Sequence, residues 1–587
     1  MRVETTLEKS EVRDGMRIHW DAPIEMDDGV VLRADVFRPD DDGRYPVVMT
    51  HGPYAKGLPF QKGFAFMWER LERDHPDALA GSSNKYQNWE TVDPEKWVPD
   101  GYAIVRVDSR GAGRSPGFLD VWSPRETRDF AACIEWAGTQ AWSNGKVGLL
   151  GVSYYAINQW QVSGLHPEHL AAICPWEGAS DHYRELARHG GILMSFISHW
   201  YPAQVKAVQH GVGDRGAVNP NTGEPAAGPE TLPDEELESN RADAVEALHE
   251  HPFDDDYHRA RSADISRIEV PLLSATNWAH ALHTRGNFEA YTRAPSRQKW
   301  LEVHGLEHWS LFYSDYGVDL QKRFFGHFLR GEDTGWDRQP PVFLNLRKVD
   351  GTFVQRAEQE WPLARTEWTK LYLDTEALRL SREPTPRAAT AAFEALGEGL
   401  TFLTEPLERE TEITGPAMAK LFVASSTSDA DIFLVLRVLD PEGEDVKFIS
   451  GIDPQGVVTN GWLRASHRKL DPEKSLPYRP WHTHDERWPL TPGETVEVDV
   501  EIWPTSVIVP AGYRIGLTIL GRDFEWAGDG PWPEFYPGVP MKGNGVFVHK
   551  DPRDRPPEVY GGVTTVLSGG DQEAYLLLPV IPETGKE

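Results

Sequence analysis

Ser153 lies where a serine could act as a nucleophile. An apolar run at residues 147–150 predicts a buried strand, which stops at Gly151, and the stretch 155–162 has no Gly or Pro and suits a helix. A strand, a sharp turn carrying a serine and a helix form a nucleophile elbow, which exposes the hydroxyl and directs a following backbone N–H toward the same point. The pattern G-x-S-x-G is incomplete, because Tyr155 occupies its last position. On the motif alone, a turn serine in any α/β protein fits equally well.

A serine nucleophile needs a general base, a group that orients the base, and donors for the oxyanion. His308 is the candidate base, because it follows the last strong strand signal before the β-rich part of the sequence begins. The triad histidine of α/β-hydrolases also follows the nucleophile and the acid in the chain. His304 competes with it, although it lies at the end of the predicted strand. Tyr54, in a loop after an early strand, could donate its phenol to the oxyanion, with the backbone N–H of Tyr154 as second donor.

The segment around the candidate base also contains a metal-binding pattern. His304, Glu307 and His308 match H-x-x-E-H, in which a helix brings both histidines onto one face to bind zinc. A strand leads into this motif and Gly305 lies inside it, so we do not expect a helix. We therefore predict neither a metal nor another cofactor.

Composition limits the classes of function. The chain has 587 residues, 40% of them hydrophobic, which favours several domains with substantial cores. Its net charge of −31 disfavours nucleic acid and anionic membranes as partners. Cys133 and Cys174 lie in apolar contexts and are expected to be buried free thiols. No apolar run approaches the ~20 residues of a membrane span, so we predict a cytoplasmic protein whose homo-oligomerisation the sequence leaves open.

The pattern of apolar, polar and turn-forming residues along the chain predicts four segments. Residues 1–181 alternate strand-like and helix-like stretches, which indicates β-α-β units and a mostly parallel, doubly wound sheet. Residues 182–264 have helical apolar spacing and a polar loop, which suits a helical cap inserted over the sheet. Residues 265–340 return to strands and a helix and complete an α/β-hydrolase core. Residues 341–587 contain short β-rich runs separated by turns, which predicts a β jelly-roll domain.

Several ordered motifs resemble the CocE/NonD hydrolases, the superfamily of bacterial cocaine esterase and X-Pro dipeptidyl-peptidase. They are Pro53-Tyr54, the run 101–111 with Asp108 and Arg110, the serine segment 145–154, and the tail segments 461–468, 490–493, 504–505 and 511–515. The resemblance spans nearly the whole chain. It implies that Ser153 is the nucleophile, His308 the base, and Tyr54 with the Tyr154 amide the oxyanion donors.

One position departs from that family. Its acid is usually an Asp in a Gly-Trp-Tyr-Asp segment, and the matching stretch here ends at His280. A histidine cannot supply the fixed negative charge that stabilises an imidazolium. Glu177 is the predicted replacement, because it follows the strand after the nucleophile's helix, where some lipases of this fold class carry their acid. Glu289 and Glu307 are the weaker alternatives.

The predicted function is cleavage of a small-molecule ester or amide through an acyl-enzyme, by a carboxylesterase or an acyl-peptidase-like enzyme. Trp176, Trp278 and Trp309 near the expected pocket favour an apolar acyl or aryl group. Two alternatives stay open: a binding protein of the same fold that has lost its acid and its activity, and a zinc-dependent hydrolase that uses the H-x-x-E-H segment.

Overall fold

The computed structural model of the chain describes residues 9–528 and 534–582. A large mixed sheet occupies the first part of the chain. Its strands are β1 (Lys9–Arg13), β2 (Met16–Glu25), β3 (Val31–Pro39), β4 (Tyr45–Gly52), β5 (Ala103–Asp108), β6 (Ser143–Val152), β7 (Leu170–Trp176), β8 (Leu272–Asn277), β9 (Lys299–His304), β10 (Val342–Arg347) and β11 (Phe353–Glu358). They lie in the order β1-β2-β3-β5-β4-β6-β7-β8-β9-β10-β11.

The centre of this sheet is parallel, as the alternation of strand and helix signals predicts. Every neighbouring pair from β5 through β4 and β6 to β10 runs parallel, whereas β1, β2, β3 and β11 join antiparallel at the two edges. Parallel strands need crossover connections, which cover the faces of the sheet with helices. The carboxyl ends of the parallel strands therefore meet at one edge, where ligands bind in open α/β sheets.

The helices of the described residues are short, apart from those that cover the sheet. They are α1 (Phe60–Gly63), α2 (Ala65–Asp74), α3 (Pro94–Trp97), α4 (Pro124–Thr139), α5 (Tyr154–Ser163), α6 (Phe196–Trp200), α7 (Asp234–Ser239), α8 (Ala244–Glu250), α9 (Asp256–Ala260), α10 (Thr284–Arg293), α11 (Ser310–Tyr313), α12 (Asp315–Phe325) and α13 (Pro557–Tyr560). No helix in this described set is long and apolar enough to cross a membrane.

Helix α4 illustrates why these segments fold as they do. Phe130, Cys133, Ile134 and Ala137 are buried at the spacing of one helical face, and the Ser123 hydroxyl caps the first turn by accepting the Glu126 N–H at 3.2 Å. Helices α6 to α9 lie between β7 and β8, in the segment predicted to be a helical insertion, and most of the backbone between α6 and α7 is irregular.

The sheet continues beyond the predicted domain boundary. Strand β10 pairs parallel with β9, and β11 pairs antiparallel with β10. The predicted division between residues 340 and 341 therefore separates two strands from the sheet to which they belong. The sequence pattern changes near residue 340 because the helices end at about the point where the sheet gains its final strands.

The later strands form a closed barrel instead of the predicted jelly roll. They are β12 (Glu367–Asp374), β13 (Arg379–Ser381), β14 (Ala389–Glu394), β15 (Leu400–Leu403), β16 (Thr411–Ser425), β17 (Asp431–Leu439), β18 (Thr459–Arg464), β19 (Val496–Val509), β20 (Arg514–Leu520), β21 (Val563–Ser568) and β22 (Tyr575–Ile581). The ring runs β16-β19-β18-β17-β20-β15-β13-β12-β22 and returns to β16. Closure satisfies the edge hydrogen bonds that an open sheet leaves exposed.

Candidate active site

Ser153 occupies the predicted turn between β6 and α5. Its φ of 58° and ψ of −115° fall where residues other than glycine are rarely found. The strained turn is braced, because the Ser153 N–H points at the backbone carbonyls of Trp176 (3.2 Å) and Glu177 (3.1 Å) at the end of the neighbouring strand β7. The serine is thus held at the carboxyl edge of the sheet.

Tyr155 fits at the position where the motif would have glycine. Two other glycines leave room for its side chain. A Cβ at Gly52 would lie only 2.7 Å from Tyr155 Cε1, and a Cβ at Gly151 would lie only 2.4 Å from Tyr155 Cβ. The side chain that replaces the glycine of the motif therefore fills space that Gly52 and Gly151 leave free.

The histidine that contacts the serine is His283, which sequence reasoning missed. Its Nε2 lies 3.1 Å from Ser153 Oγ, and its Nδ1 has no hydrogen-bond partner among the described residues. Burial, followed by the proximity of His308, holds the pKa of His283 well below its usual range. A neutral imidazole at this distance can accept the serine proton.

His308, the predicted base, lies in the same cavity but contacts a different group. Its Nε2 is 3.1 Å from Oε1 of Glu90, and the described residues include no hydrogen bond between His308 and Ser153. Burial lowers the pKa of His308 to about 3. Glu90 exposes 2% of its surface, and burial, reinforced by the charge of Glu177, raises its pKa well above the usual range. Burial therefore favours the uncharged form of both partners.

Glu177, the predicted acid, is bound to the other histidine of the segment. Its Oε1 lies 2.7 Å from His304 Nε2, and His304 Nδ1 lies 2.6 Å from Glu302 Oε2. Burial opposes a charge on His304, but the carboxylates of Glu302 and Glu177 outweigh it and raise the pKa of His304 to about 10. The described residues thus do not form the predicted Ser153–His308–Glu177 relay, because Glu177 supports the histidine at the end of β9 rather than the one in the following loop.

His280, at the position where an Asp was expected, packs against the other two histidines. Its ring centroid is 4.5 Å from that of His283 and 5.2 Å from that of His308. Its Nδ1 accepts the Leu282 N–H at 3.1 Å, and its Nε2 has no partner within the described ranges. It offers no negative charge to His283 or His308.

The two predicted oxyanion donors flank the serine. Tyr54 lines the cavity, and its hydroxyl oxygen accepts the Trp200 indole N–H at 3.0 Å, which leaves the phenolic proton free to donate. Burial, then the charge of Glu90, raises the pKa of Tyr54 well above its usual range, so the phenol stays protonated. Tyr154 is the first residue of α5, and a helix leaves such N–H groups without an internal acceptor. The Tyr154 hydroxyl donates to Glu126 Oε2 at 2.6 Å and fixes this residue.

The cavity at Ser153 has a mainly aromatic wall. That wall includes Tyr54, Trp89, Phe196, Trp200, Tyr536 and Phe547. The predicted pocket tryptophans lie elsewhere: Trp176, Trp278 and Trp309 are completely buried and none of them lines this cavity. Ile452, Tyr536 and Phe547 follow the first barrel strands in sequence, so both parts of the chain contribute to the site.

The H-x-x-E-H segment does not form a helix. His304 ends β9, and residues 306–307 form a short strand. Glu307 faces away from the two histidines and pairs with Arg70 and with His75, whose Nε2 is 2.9 Å from Glu307 Oε2. The spacing that a zinc site on a helix requires is therefore not realised here.

A CocE/NonD family hydrolase from Staphylococcus aureus, known from its crystal structure, is 32% identical to this chain, with a TM-score of 0.82, and the match covers 96% of this chain and 94% of that one. This chain belongs to the CocE/NonD hydrolase family. Residues 28–310 match the family described as X-Pro dipeptidyl-peptidase (S15 family), and residues 334–576 match the X-Pro dipeptidyl-peptidase C-terminal non-catalytic domain.

Curated relatives agree with this placement. Cocaine esterase from Rhodococcus is 24% identical, over 95% of this chain and 97% of its own length. A putative serine esterase from Mycobacterium bovis is 25% identical, over 85% of this chain and 90% of its own length. The resemblance inferred from the sequence motifs is thus confirmed at the level of the family.

Within this CocE/NonD site, sequence reasoning missed Glu90 and His283. Glu90 lies in a loop between α2 and α3, where a lone carboxylate carries no recognisable signal. His283 lies three residues after His280, the position already singled out for its missing Asp, and a histidine in that loop was the available clue.

Proposed function

We propose that this CocE/NonD hydrolase cleaves ester or amide bonds of small molecules by acyl transfer to Ser153, with carboxylic esters as the preferred class. The observation that carries the proposal is the 3.1 Å contact between Ser153 Oγ and His283 Nε2 at a strained elbow. Relatives named cocaine esterase, putative serine esterase and putative Xaa-Pro dipeptidyl-peptidase support an ester or amide substrate.

The geometry supports the following sequence. His283 accepts the proton of Ser153 while Oγ attacks the substrate carbonyl. The Tyr54 hydroxyl and the Tyr154 N–H stabilise the oxyanion, and water then cleaves the acyl-enzyme. His283 replaces His308 as the base in this proposal, because His283 is the histidine within hydrogen-bond distance of the serine.

The cavity favours an uncharged, apolar acyl group. Its wall is mainly aromatic, and its one carboxyl group among the described residues, Glu90, is buried and bound to His308. A charged acyl group would lose its hydration in this cavity without gaining an opposite charge. Cytoplasmic location and homo-oligomerisation stay predictions from the sequence.

The central test is labelling and turnover of the whole protein. A fluorophosphonate should label the wild type at Ser153, and p-nitrophenyl esters of short acids should be hydrolysed. The Ser153→Ala variant should lose both while it keeps the thermal unfolding transition of the wild type. An unlabelled wild type that turns over no ester would instead favour the inactive binding protein.

A paired comparison tests the assignment of the base. His283→Gln should lower kcat/KM for every ester by about 100-fold or more, the range of general base catalysis, and should slow labelling equally. His308→Gln should keep the labelling rate within a few-fold of the wild type. The reverse pattern would return the role of base to His308.

A further inference from the structure

A carboxyl group that the proposed mechanism does not use shares the cavity with Ser153. Glu90 has a φ of 61°, so its backbone is strained in the same way as that of the serine. Its backbone carbonyl accepts the Val152 N–H at 3.1 Å, which fixes Glu90 against the residue that precedes the nucleophile. Its Oε2 is buried and has no hydrogen-bond partner in the described part of the chain.

His308 holds one oxygen of the Glu90 carboxyl group in place. His308 is neutral near pH 7, and its Nε2 lies 3.1 Å from Glu90 Oε1. In the tautomer in which His308 carries its hydrogen on Nε2, that N–H donates to Oε1 and the proton of the neutral carboxylic acid resides on Oε2. Burial and the nearby charge of Glu177 raise the pKa of Glu90, which favours this protonated form.

We propose that Glu90, held by His308, is the general acid that protonates the leaving group, while His283 separately removes the proton of Ser153. This inference rests on the proposed serine hydrolase function and adds a second acid–base group to it. A buried carboxylic acid kept neutral by its surroundings is suited to donate a proton at neutral pH.

The protons and bonds balance over one turnover. In acylation the Ser153 proton moves to His283, the bond from Oγ to the acyl carbon forms, and the bond to the leaving oxygen or nitrogen breaks as that atom takes the proton of Glu90 Oε2. In deacylation water attacks the acyl carbon and gives its proton to the Glu90 carboxylate. The departing Ser153 Oγ recovers its proton from His283, so both groups return to their starting states.

The charges that form on His283 and Glu90 explain why the two proton transfers are divided between these groups. His283 Nδ1 has no carboxylate partner in the described residues, so nothing adjacent stabilises the imidazolium formed during attack. Once Glu90 gives up its proton, its negative charge lies in the same mainly aromatic cavity as the positive His283. Opposite charges attract strongly in such a low-dielectric space, so transfer from Glu90 offsets part of the cost of charging His283.

The experiment is a leaving-group series with one acyl group. Butyrate esters of p-nitrophenol, phenol and ethanol are compared by kcat/KM, which reports the acylation steps. Glu90→Gln keeps an acceptor for His308 but removes the acid. It should leave the p-nitrophenyl ester within about 3-fold of the wild type, because that phenolate departs unprotonated, and lower the ethyl ester by about 100-fold or more.

A matched control is Glu307→Gln. Glu307 is also a buried carboxylate, it adjoins His308 in sequence, and it lies outside the cavity lining. Any change that it causes should be the same for all three esters. Should Glu90→Gln fold poorly, His308→Gln, which removes the group that holds Glu90, should reproduce the selective loss on the ethyl ester.

The results of this ester series separate the role of Glu90 from the serine hydrolase function itself. An equal loss on all three esters, no loss on the ethyl ester, or loss of fluorophosphonate labelling in Glu90→Gln would overturn the role of Glu90. A wild type that is neither labelled nor active on the p-nitrophenyl ester would instead refute the serine hydrolase function. A selective loss on the ethyl ester supports the inference.

Discussion

Three residues other than glycine have left-handed backbone angles where the nucleophile is exposed. They are Glu90 (φ 61°), Ser153 (φ 58°) and Glu177 (φ 50°). Such conformations cost about 1–3 kcal/mol each and persist only where neighbouring contacts enforce them. Here Glu90 and Glu177 supply the backbone carbonyls that brace Val152 and Ser153. The strain is therefore shared by three chain segments that are hydrogen-bonded to one another at the nucleophile.

Tyr54→Phe tests the phenolic oxyanion donor. The ring packing is kept while one donor is removed, so we expect kcat to fall by about 100- to 1,000-fold with a small change in KM. Steady-state kinetics with a p-nitrophenyl ester measure this. Tyr201→Phe is the control, because its hydroxyl donates to the Ala242 carbonyl (2.8 Å) away from the cavity. Equal kcat values for Tyr54→Phe and the wild type would remove Tyr54 from the mechanism.

At the scale of single residues, the sequence could predict the turn but not the pairing of acids with histidines. The turn around Ser153 has a local signature, because apolar strand, small residues and helix follow one another in the chain. The partners of Glu177 depend on which of two nearby histidines faces β7, and this is fixed by the register in which Asn277 lies opposite His304. No local pattern encodes that register.

Strand β6 and helix α5 approach each other closely because Gly151 has no side chain. In Gly151→Ala the new methyl would meet Tyr155 Cβ at 2.4 Å, an atom fixed by the helix, so one of the two elements must shift. We expect the free energy of unfolding to fall by about 1–3 kcal/mol, the usual cost of overpacking. Denaturant titration measures it.

Gly164→Ala is the matched control on the same helix. A Cβ there would first meet the Asp264 carbonyl oxygen at 3.5 Å, which is ordinary contact. The unfolding midpoint of this variant should stay close to that of the wild type. If both glycine variants had the same midpoint, the close approach at Gly151 would not explain the tolerance of tyrosine at 155.

At the scale of elements, periodicity predicted helices and strands but not which sheet a strand joins. Helix α4 shows such a period, because its buried apolar residues recur at the spacing of one helical face. The strands β10 and β11 have a sequence pattern like that of the barrel strands after them. They belong to the first sheet because β10 pairs with β9 and β11 pairs with β10. Pairing partners depend on distant residues, so the local sequence pattern could not assign these two strands to the first sheet.

Buried histidines make the stability of the whole molecule depend on pH. Pairs in contact include His182 with His258 (2.8 Å) and His467 with His484 (3.1 Å). Burial lowers the pKa of each, that of His258 to about 4. Above the ordinary histidine pKa of 6.5 both states are neutral, but below it the unfolded chain takes up protons that the folded protein excludes. Stability should therefore decline as pH falls from 6.5 toward 4.

Thermal unfolding between pH 8 and pH 5 checks this expectation. The Tm should be nearly constant from pH 8 to pH 7 and should then decrease steadily. His258→Gln should flatten the decrease, because it removes one histidine whose protonation is suppressed by folding. A Tm that stays level down to pH 5 would contradict the argument.

The closed barrel limits the order in which the two parts of the chain can fold during synthesis. All strands of the first sheet precede residue 359, so that sheet can form while the rest of the protein is still being translated. The barrel cannot close in this way, since β22, which must insert between β12 and β16, is the last of the described strands along the chain. Until then the edges of β12 and β16 are open to pairing with other chains. The nascent barrel, more than the first sheet, is thus the stage of folding at which unpaired strand edges are exposed.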